Sequence, residues 1–384
     1  MPFALYLLGL AVFAQGTSEF MLAGLVPDIA RDLGVSVPTA GTLTSGFAVG
    51  MVVGAPAAAL LARRRPSRQS LLVFLGVFLA AHVVGALTPD FSVLLATRVV
   101  AALANAGFLA VGLTAATGMV APDAKGRATA VLLGGTTLAC VAGVPAGAVL
   151  GQLLGWRSAF WAVALVSAPA LVAIARSVPR GPAAGGPVPR AGKELRALRR
   201  PRLLWVLCLA ALVNGATFCT FTYLASLVTE VGGLGAGWVP GVLALFGAGA
   251  FAGVTAAGRL ADRDVRPVLP LAGAALLAGW TALALAAGRP GVAVALAPVL
   301  GLLAFGVGST LVTRVLYEAS DAPLLGGAFA TSALNVGAAL GPVLGGAALD
   351  GGLGHRSPVW VSALLVAVAG LVAGCRTRRP EQPA

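Results

Sequence analysis

The sequence predicts an all-α membrane protein of twelve spans arranged as two pseudo-symmetric six-helix bundles, and three observations carry that prediction. Of 384 residues, 58% are hydrophobic and only 10% charged, with a mean hydropathy of +0.94. A water-soluble fold cannot bury that much apolar surface. Apolar runs of spanning length recur twelve times, and the second half repeats small-residue spacings of the first at an offset near 199 residues.

A crossing takes roughly 20 apolar residues. In order, the first-half runs fall at 4–26, 40–62, 70–88, 92–116, 128–153 and 157–176. The first has no basic residue before it and is too long for a cleaved signal core, so it reads as a retained helix. Arg63 to Arg65 and Arg68 close the second, Asp90 separates the third from the fourth, Lys125 and Arg127 open the fifth, and Arg157 and Arg176 bracket the sixth. Residues 177–202 are hydrophilic, rich in Pro, Gly and Arg, and read as a linker between a first bundle at 1–176 and a second at 203–384. The second-half runs fall at 203–228, 239–261, 268–287, 291–316, 326–349 and 357–375, the last followed by a short basic tail.

The net charge of +13 follows from topology. With the N-terminus inside, 21 of the 26 basic residues fall on the cytoplasmic side and four (Arg31, Arg157, Arg289, Arg356) on the other, leaving Arg98 within the fourth span. That imbalance places both termini in the cytoplasm of a cell-membrane protein and argues against nucleic-acid binding. Cys140, Cys208, Cys219 and Cys375 lack CxxC spacing and histidine partners and read as packing residues, so no metal or cofactor is expected. His82 and His355 are isolated and receive no chemistry.

A shift of 199 aligns Phe47 with Phe246, Gly50 with Gly249, Gly54 with Gly253, Leu61 with Leu260, Arg64 with Arg263 and Gln15-Gly16 with Asn214-Gly215. A shift of 198 brings Gly143 and Gly147 onto Gly341 and Gly345. Two repeated halves place a cavity at their interface near the midplane, opened to one side at a time by rocking.

Glu19 is the one acidic residue well inside an apolar run. A charge there costs roughly 2.5–3.5 kcal/mol on insertion scales, so it reads as a proton-coupling or substrate-contact residue, or as a wetted interfacial group about 7 Å from the span's centre. Arg98 shares a helical face with Ala102 and Asn105. Gln15 lies one turn from Glu19, while Asn214, Phe218 and Phe221 align on the seventh span. With Phe47, Asn105, Phe246 and Asn335 they are candidates for a mixed aromatic and polar cavity suited to a neutral amphiphile, or else for interhelical packing and hydrogen bonding.

The loop Gly258-Arg259-Leu260-Ala261-Asp262-Arg263-Asp264-Val265-Arg266 has the order G-x-L-A-D-R-x-x-R and resembles the signature loop of the major facilitator superfamily. In this reading Gly258 permits close helix approach, and Asp262 with Arg263 and Arg266 forms a gating latch that breaks on rocking; the alternative is an ordinary positive-inside loop. In the first half, Ala59-Leu60-Leu61-Ala62-Arg63-Arg64-Arg65 lacks both the Gly and the Asp, so its latch needs an acidic partner elsewhere. Gly337, Gly341, Pro342 and Gly345 on the eleventh span resemble the G-x-x-x-G-P-x-x-G-G signature of drug exporters, which in that group sits on the fifth. Here the fifth carries the looser Gly143, Pro145 and Gly147. Small residues at this spacing let helices approach, and Pro lets them bend.

The stretch Gly16 to Ala30, with Phe47 to Gly50, is similar to the drug:proton antiporters of that superfamily, and Gly134 to Gly147 to the chloramphenicol-resistance exporters of high-GC bacteria. The resemblance spans nearly the whole chain. It implies the major facilitator fold, exchange of a small drug such as chloramphenicol for protons, and a proton-relay role for Arg98. Against that role stands an Arg that snorkels outward. Sugar and nucleoside exporters share much of the first-span sequence and remain alternatives.

No phosphate loop exists: Lys125 and Lys193 are flanked by Ala124 and Gly126, and by Gly192 and Glu194. The driving force is therefore an ion gradient or the substrate's own. A membrane enzyme would need clustered catalytic groups, and a non-transporting sensor a soluble domain or a separate partner. A monomer in the bilayer, with protons and a drug as its only partners, is the expectation.

Overall fold

The computed structural model describes residues 3–61, 66–121, 124–178, 196–260, 268–320, 322 and 325–377. Among them are twelve helices long and apolar enough to cross a membrane, and no strand. Hydrocarbon offers the backbone no partners, so a chain this apolar must pair its N–H and C=O groups within each segment.

In the first half, α1 (Phe3–Phe20) and α2 (Leu22–Asp32) share the first crossing. Next come α3 (Val37–Leu61), α4 (Ser67–Leu87) and α5 (Phe91–Gly118). The fifth crossing is split between α6 (Lys125–Leu138) and α7 (Val144–Leu154), and α8 (Arg157–Ser177) is the sixth. The second half runs through α9 (Pro201–Thr222), α10 (Val239–Leu260), α11 (Val268–Ala286), α12 (Pro290–Glu318), α13 (Gly326–Asp350) and α14 (Ser357–Thr377). Successive crossings alternate in direction, so the two described chain ends lie at one face, the terminal face. The loop after Asp32 and the segment that enters α10 lie at the other, the distal face. Of the expected linker, 179–195 lies outside the described residues, and Arg196–Arg199 form a 3₁₀ turn leading into α9.

Three spans expected to be continuous are interrupted. The run 4–26 breaks at Met21, where the Gly24 N–H bonds the Met21 carbonyl at 3.2 Å, and helix then resumes as far as Asp32. Glu19 is thus the penultimate residue of α1, at a helix break, and not a point within a smooth span. In the run 128–153 a π-helical turn, Ala139–Gly143, separates α6 from α7. Pro145 has no N–H for the Val141 carbonyl, so the hydrogen-bond ladder is free to slip there. The run 203–228 ends its α-helix at Thr222 and continues through a short turn, Leu224–Ser226, into a π turn, Leu227–Val231.

The repeated glycines do the same work in both halves. Gly50 and Gly54 of α3 lie against Val99, Ala102, Leu103 and Ala106 of α5; Gly249 and Gly253 of α10 lie against the Pro298 and Leu302 carbonyls of α12. A side chain at Gly249 would overlap backbone. The signature glycines are matched too: Gly143, Gly147 and Gly151 receive Thr17, Met21 and Leu25 of the first crossing, as Gly337, Gly341 and Gly345 receive Ala211, Gly215 and Cys219 of α9. Each half therefore packs its second crossing on its fourth and its fifth on its first.

Among the described residues, the halves share a buried core toward the distal face. Phe20, Ala23, Ala48, Val144 and Ala148 join the buried cluster of the second half, while the other buried cluster belongs wholly to the first. Nearer that face, Gln152 Nε2 donates to the Ala236 carbonyl at 2.6 Å. Gly24 lies against Ala148 and Leu243, and Tyr223 fills the space between Gly41 and Gly346 while its hydroxyl donates to the Pro342 carbonyl at 2.8 Å.

Candidate functional site

The site is built where α1 ends. The last turn of a helix leaves carbonyls without intrahelical partners, and the break at Met21 creates such an end inside the protein. Arg98 of α5 fills it. Its guanidinium donates from Nη2 to the Ser18 carbonyl and from Nη1 to the Ser18 Oγ, both at 2.7 Å. A cation is favourable at the negative end of a helix dipole. Arg98 is only 1% exposed, so it does not snorkel outward; its charge lies 4.5 Å from the Phe47 ring centroid and 5.9 Å from that of Phe160.

Glu19, half-buried, follows Ser18 directly. The Arg98 guanidinium acts on it electrostatically, yet the two make no direct ion pair.

Ser18 also reaches His82 of α4, with 2.7 Å between Oγ and Nε2. His82 Nδ1 lies 2.8 Å from the Phe78 carbonyl, which can only accept, so the ring proton is on Nδ1 and the Ser18 hydroxyl donates to Nε2. His82 is 1% exposed and packs between the rings of Phe78 and Phe160. The expectation that His82 is isolated is thus corrected. A buried His in a membrane span was the signal, since such a group must find a partner.

Beyond Glu19, Phe20 enters an aromatic cluster of the second half. Its ring centroid is 5.9 Å from Phe218, 6.4 Å from Phe221 and 6.5 Å from Phe305. Phe246 completes it, 5.1 Å from Phe221 and 6.2 Å from Phe305. The candidates Phe218, Phe221 and Phe246 therefore meet, packed on one another, together with Phe20 and Phe305, which sequence reading missed. Phe47 is apart from them, under Arg98.

The polar candidates divide. Gln15 is 1% exposed and neither end of its amide has a hydrogen-bond partner. Asn105 Nδ2 meets the Met51 sulfur at 3.6 Å, with Oδ1 unpartnered. Asn214 donates to the Leu334 carbonyl at 2.7 Å, linking α9 to α13, and Asn335 donates to the Thr331 carbonyl of its own helix at 3.0 Å. Gly258 lies near the end of α10, whereas Asp262, Arg263 and Arg266 lie outside the described residues. An apolar cavity of about 130 Å³ lies between α10, α11 and α12, lined by none of the aromatic or amide candidates.

At the distal face, Asp32 accepts from Arg157 Nη1 and from Trp156 Nε1, the latter at 3.0 Å, and Arg157 Nη2 donates to the Thr88 carbonyl at 3.2 Å. These bonds, from Arg157 above all, hold the Asp32 carboxyl below the usual carboxylate range.

Residues 8–330 match the family model described as Major Facilitator Superfamily. The chain is 59% identical over 377 residues to the chloramphenicol resistance protein of Streptomyces lividans, covering 97% of this chain and 96% of that one. It is 35% identical to the inner membrane transport protein YdhP of Escherichia coli K12, covering 99% and 97%. Among solved structures, a mutant of the nucleoside transporter NupG superposes with a TM-score of 0.79 over 98% of this chain and 99% of that one, at 12% identity.

Proposed function

This chain belongs to the major facilitator superfamily, and from that premise we propose that it is a proton-coupled antiporter exporting a small neutral drug, chloramphenicol first among candidates, by alternating access. The observation that carries coupling is the pair at the α1 break: a half-buried Glu19 beside a buried Arg98 that it does not contact. A carboxyl that gains or loses a proton there changes the electrostatics where the halves meet, which is what a proton-linked switch requires. The drug assignment is supported by the near full-length similarity to a protein named for chloramphenicol resistance. The aromatic cluster around Phe20 supports it too: it draws rings from both halves, and an aromatic solute that entered as the halves move apart would meet ring surfaces there.

The terminal face is assigned to the cytoplasm because it holds 21 of the 26 basic residues. The seal at the distal face then corresponds to an inward-facing state, with bundles at 1–176 and 203–384, the linker 177–202 inside, and the loop from Gly258 through Asp262, Arg263 and Arg266 as the cytoplasmic latch. One proton moving through 100 mV releases about 2.3 kcal/mol, enough for a concentration ratio of tenfold or more.

The test is accumulation of labelled chloramphenicol in drug-sensitive cells with and without the protein, before and after a protonophore. Lower accumulation that rises to the control level with protonophore is expected. No difference, with the protein present in the membrane, sinks the drug assignment and directs the search to sugars and nucleosides.

A further inference from the structure

The polar chain at the α1 break has a direction. His82 Nδ1 donates to the Phe78 carbonyl, so Nε2 must accept; the Ser18 hydroxyl donates to it, which leaves the Ser18 oxygen free to accept from Arg98. Each bond fixes the next. Both outer nitrogens of Arg98 are engaged by Ser18, Nε is unpartnered, and none of the three is bonded to Glu19, one residue along.

From this geometry we infer that Ser18 and His82 form a latch that holds Arg98 on the end of α1 and away from Glu19, with His82 the positioning residue. The inference rests on the reading of Glu19 and Arg98 as the coupling pair. Two arrangements of Arg98 compete. In one it caps α1, as seen here; in the other it pairs with the Glu19 carboxylate. The latch sets the balance between them. Among the described residues, the ionisable groups facing His82 are Arg98 from α5 and, beyond Ser18, Glu19 from α1, while α8 presents the Phe160 ring. A proton added to Nε2 would turn it from acceptor to donor, reverse the Ser18 hydroxyl and set two cations on one oxygen. The latch therefore holds only with neutral His82.

The experiment compares His82→Leu, His82→Gln and Ser18→Ala with the wild type, in pH-dependent export from energised vesicles and in thermal unfolding of the purified protein. Leu removes both hydrogen bonds; Gln keeps a donor and an acceptor without an ionisable ring. The Leu and Ala variants are expected to lose roughly tenfold in export, the scale of one charge-assisted hydrogen bond. The pH midpoint of export should move lower, because a released guanidinium on Glu19 favours its carboxylate form. Gln is expected to restore most of the rate. Unfolding of the Ser18→Ala, His82→Leu double variant should be non-additive, as for two members of one chain of bonds.

Additive unfolding, or a wild-type pH midpoint in the Leu variant, overturns the latch. If Glu19→Gln still exports uphill, the coupling reading fails instead, and the unfolding cycle decides alone whether Ser18 and His82 act as a unit.

Discussion

A guanidinium cannot leave an apolar interior cheaply once it is there, so Arg98 takes the acceptors that the nearest helix end offers, and Ser18 supplies both. Glu19 is left without an ion pair to Arg98, and that makes it the residue whose substitution is most informative. In Glu19→Gln, which keeps the shape and loses the proton site, the drug gradient sustained across energised vesicles should fall from tenfold or more to about one, with normal membrane insertion. A gradient at the wild-type level removes the coupling role. Asp32 gives the pH prediction at this scale. Its folded-state carboxyl titrates below its unfolded value, so its contribution to stability is present above about pH 4 and is lost as the pH falls through the lowered folded value. The side chain is 47% exposed, which limits the effect to about 0–1 kcal/mol. Thermal unfolding of Asp32→Asn should therefore match the wild type in acid and lie slightly below it near neutrality. A larger gap in acid would contradict the assigned ion pair.

At the scale of elements, the repeat is a statement about helix contacts. Helices in a bilayer associate through packing and not through the hydrophobic effect, so small residues decide which pairs approach closely. Gly249 of α10 meets the Pro298 carbonyl, and its first-half counterpart Gly50 meets α5. Gly249→Leu should lower stability by about 1–3 kcal/mol, the usual cost of overpacking, and Gly50→Leu by a similar amount. Unfolding in detergent measures both, and unchanged midpoints would show that these helices pack elsewhere. The interruptions at Met21, at Ala139–Gly143 and beyond Thr222 lie on the first, fifth and seventh crossings. Pro145 gave a visible reason for one. At Met21 and Tyr223 no proline stands at the break itself; there Met21 lies on Gly147, and Tyr223 fills the gap between Gly41 and Gly346.

At the scale of the molecule, the halves meet toward the distal face, through the Phe20 cluster, Tyr223 and the Gln152 to Ala236 hydrogen bond. Alternating access requires that seal to open. Cysteines placed at 152 and 236, with the native cysteines replaced, should be joined by a short bifunctional reagent and export should then stop, while drug binding from the terminal face persists. Full export by the cross-linked protein would show that the distal seal does not open during transport.

Composition, run length and basic-residue asymmetry were enough to predict twelve spans and two halves, because each crossing is dictated locally by the energetics of the bilayer. Glycine spacing was enough to anticipate the repeat, because close approach needs small residues wherever it occurs. Glu19 and Arg98 were legible for the same reason: a charge in an apolar run is anomalous on sight. What the sequence left open is which groups those charges meet. Ser18 and His82 are 64 residues apart, and Arg98 lies 80 residues from Ser18. Phe20 finds its aromatic partners in the other half of the chain. Such contacts are fixed by how helices cross and where they break, and only the tertiary structure decides that, because hydrogen bonds and ring contacts are satisfied over a few ångströms in space whatever their separation along the chain.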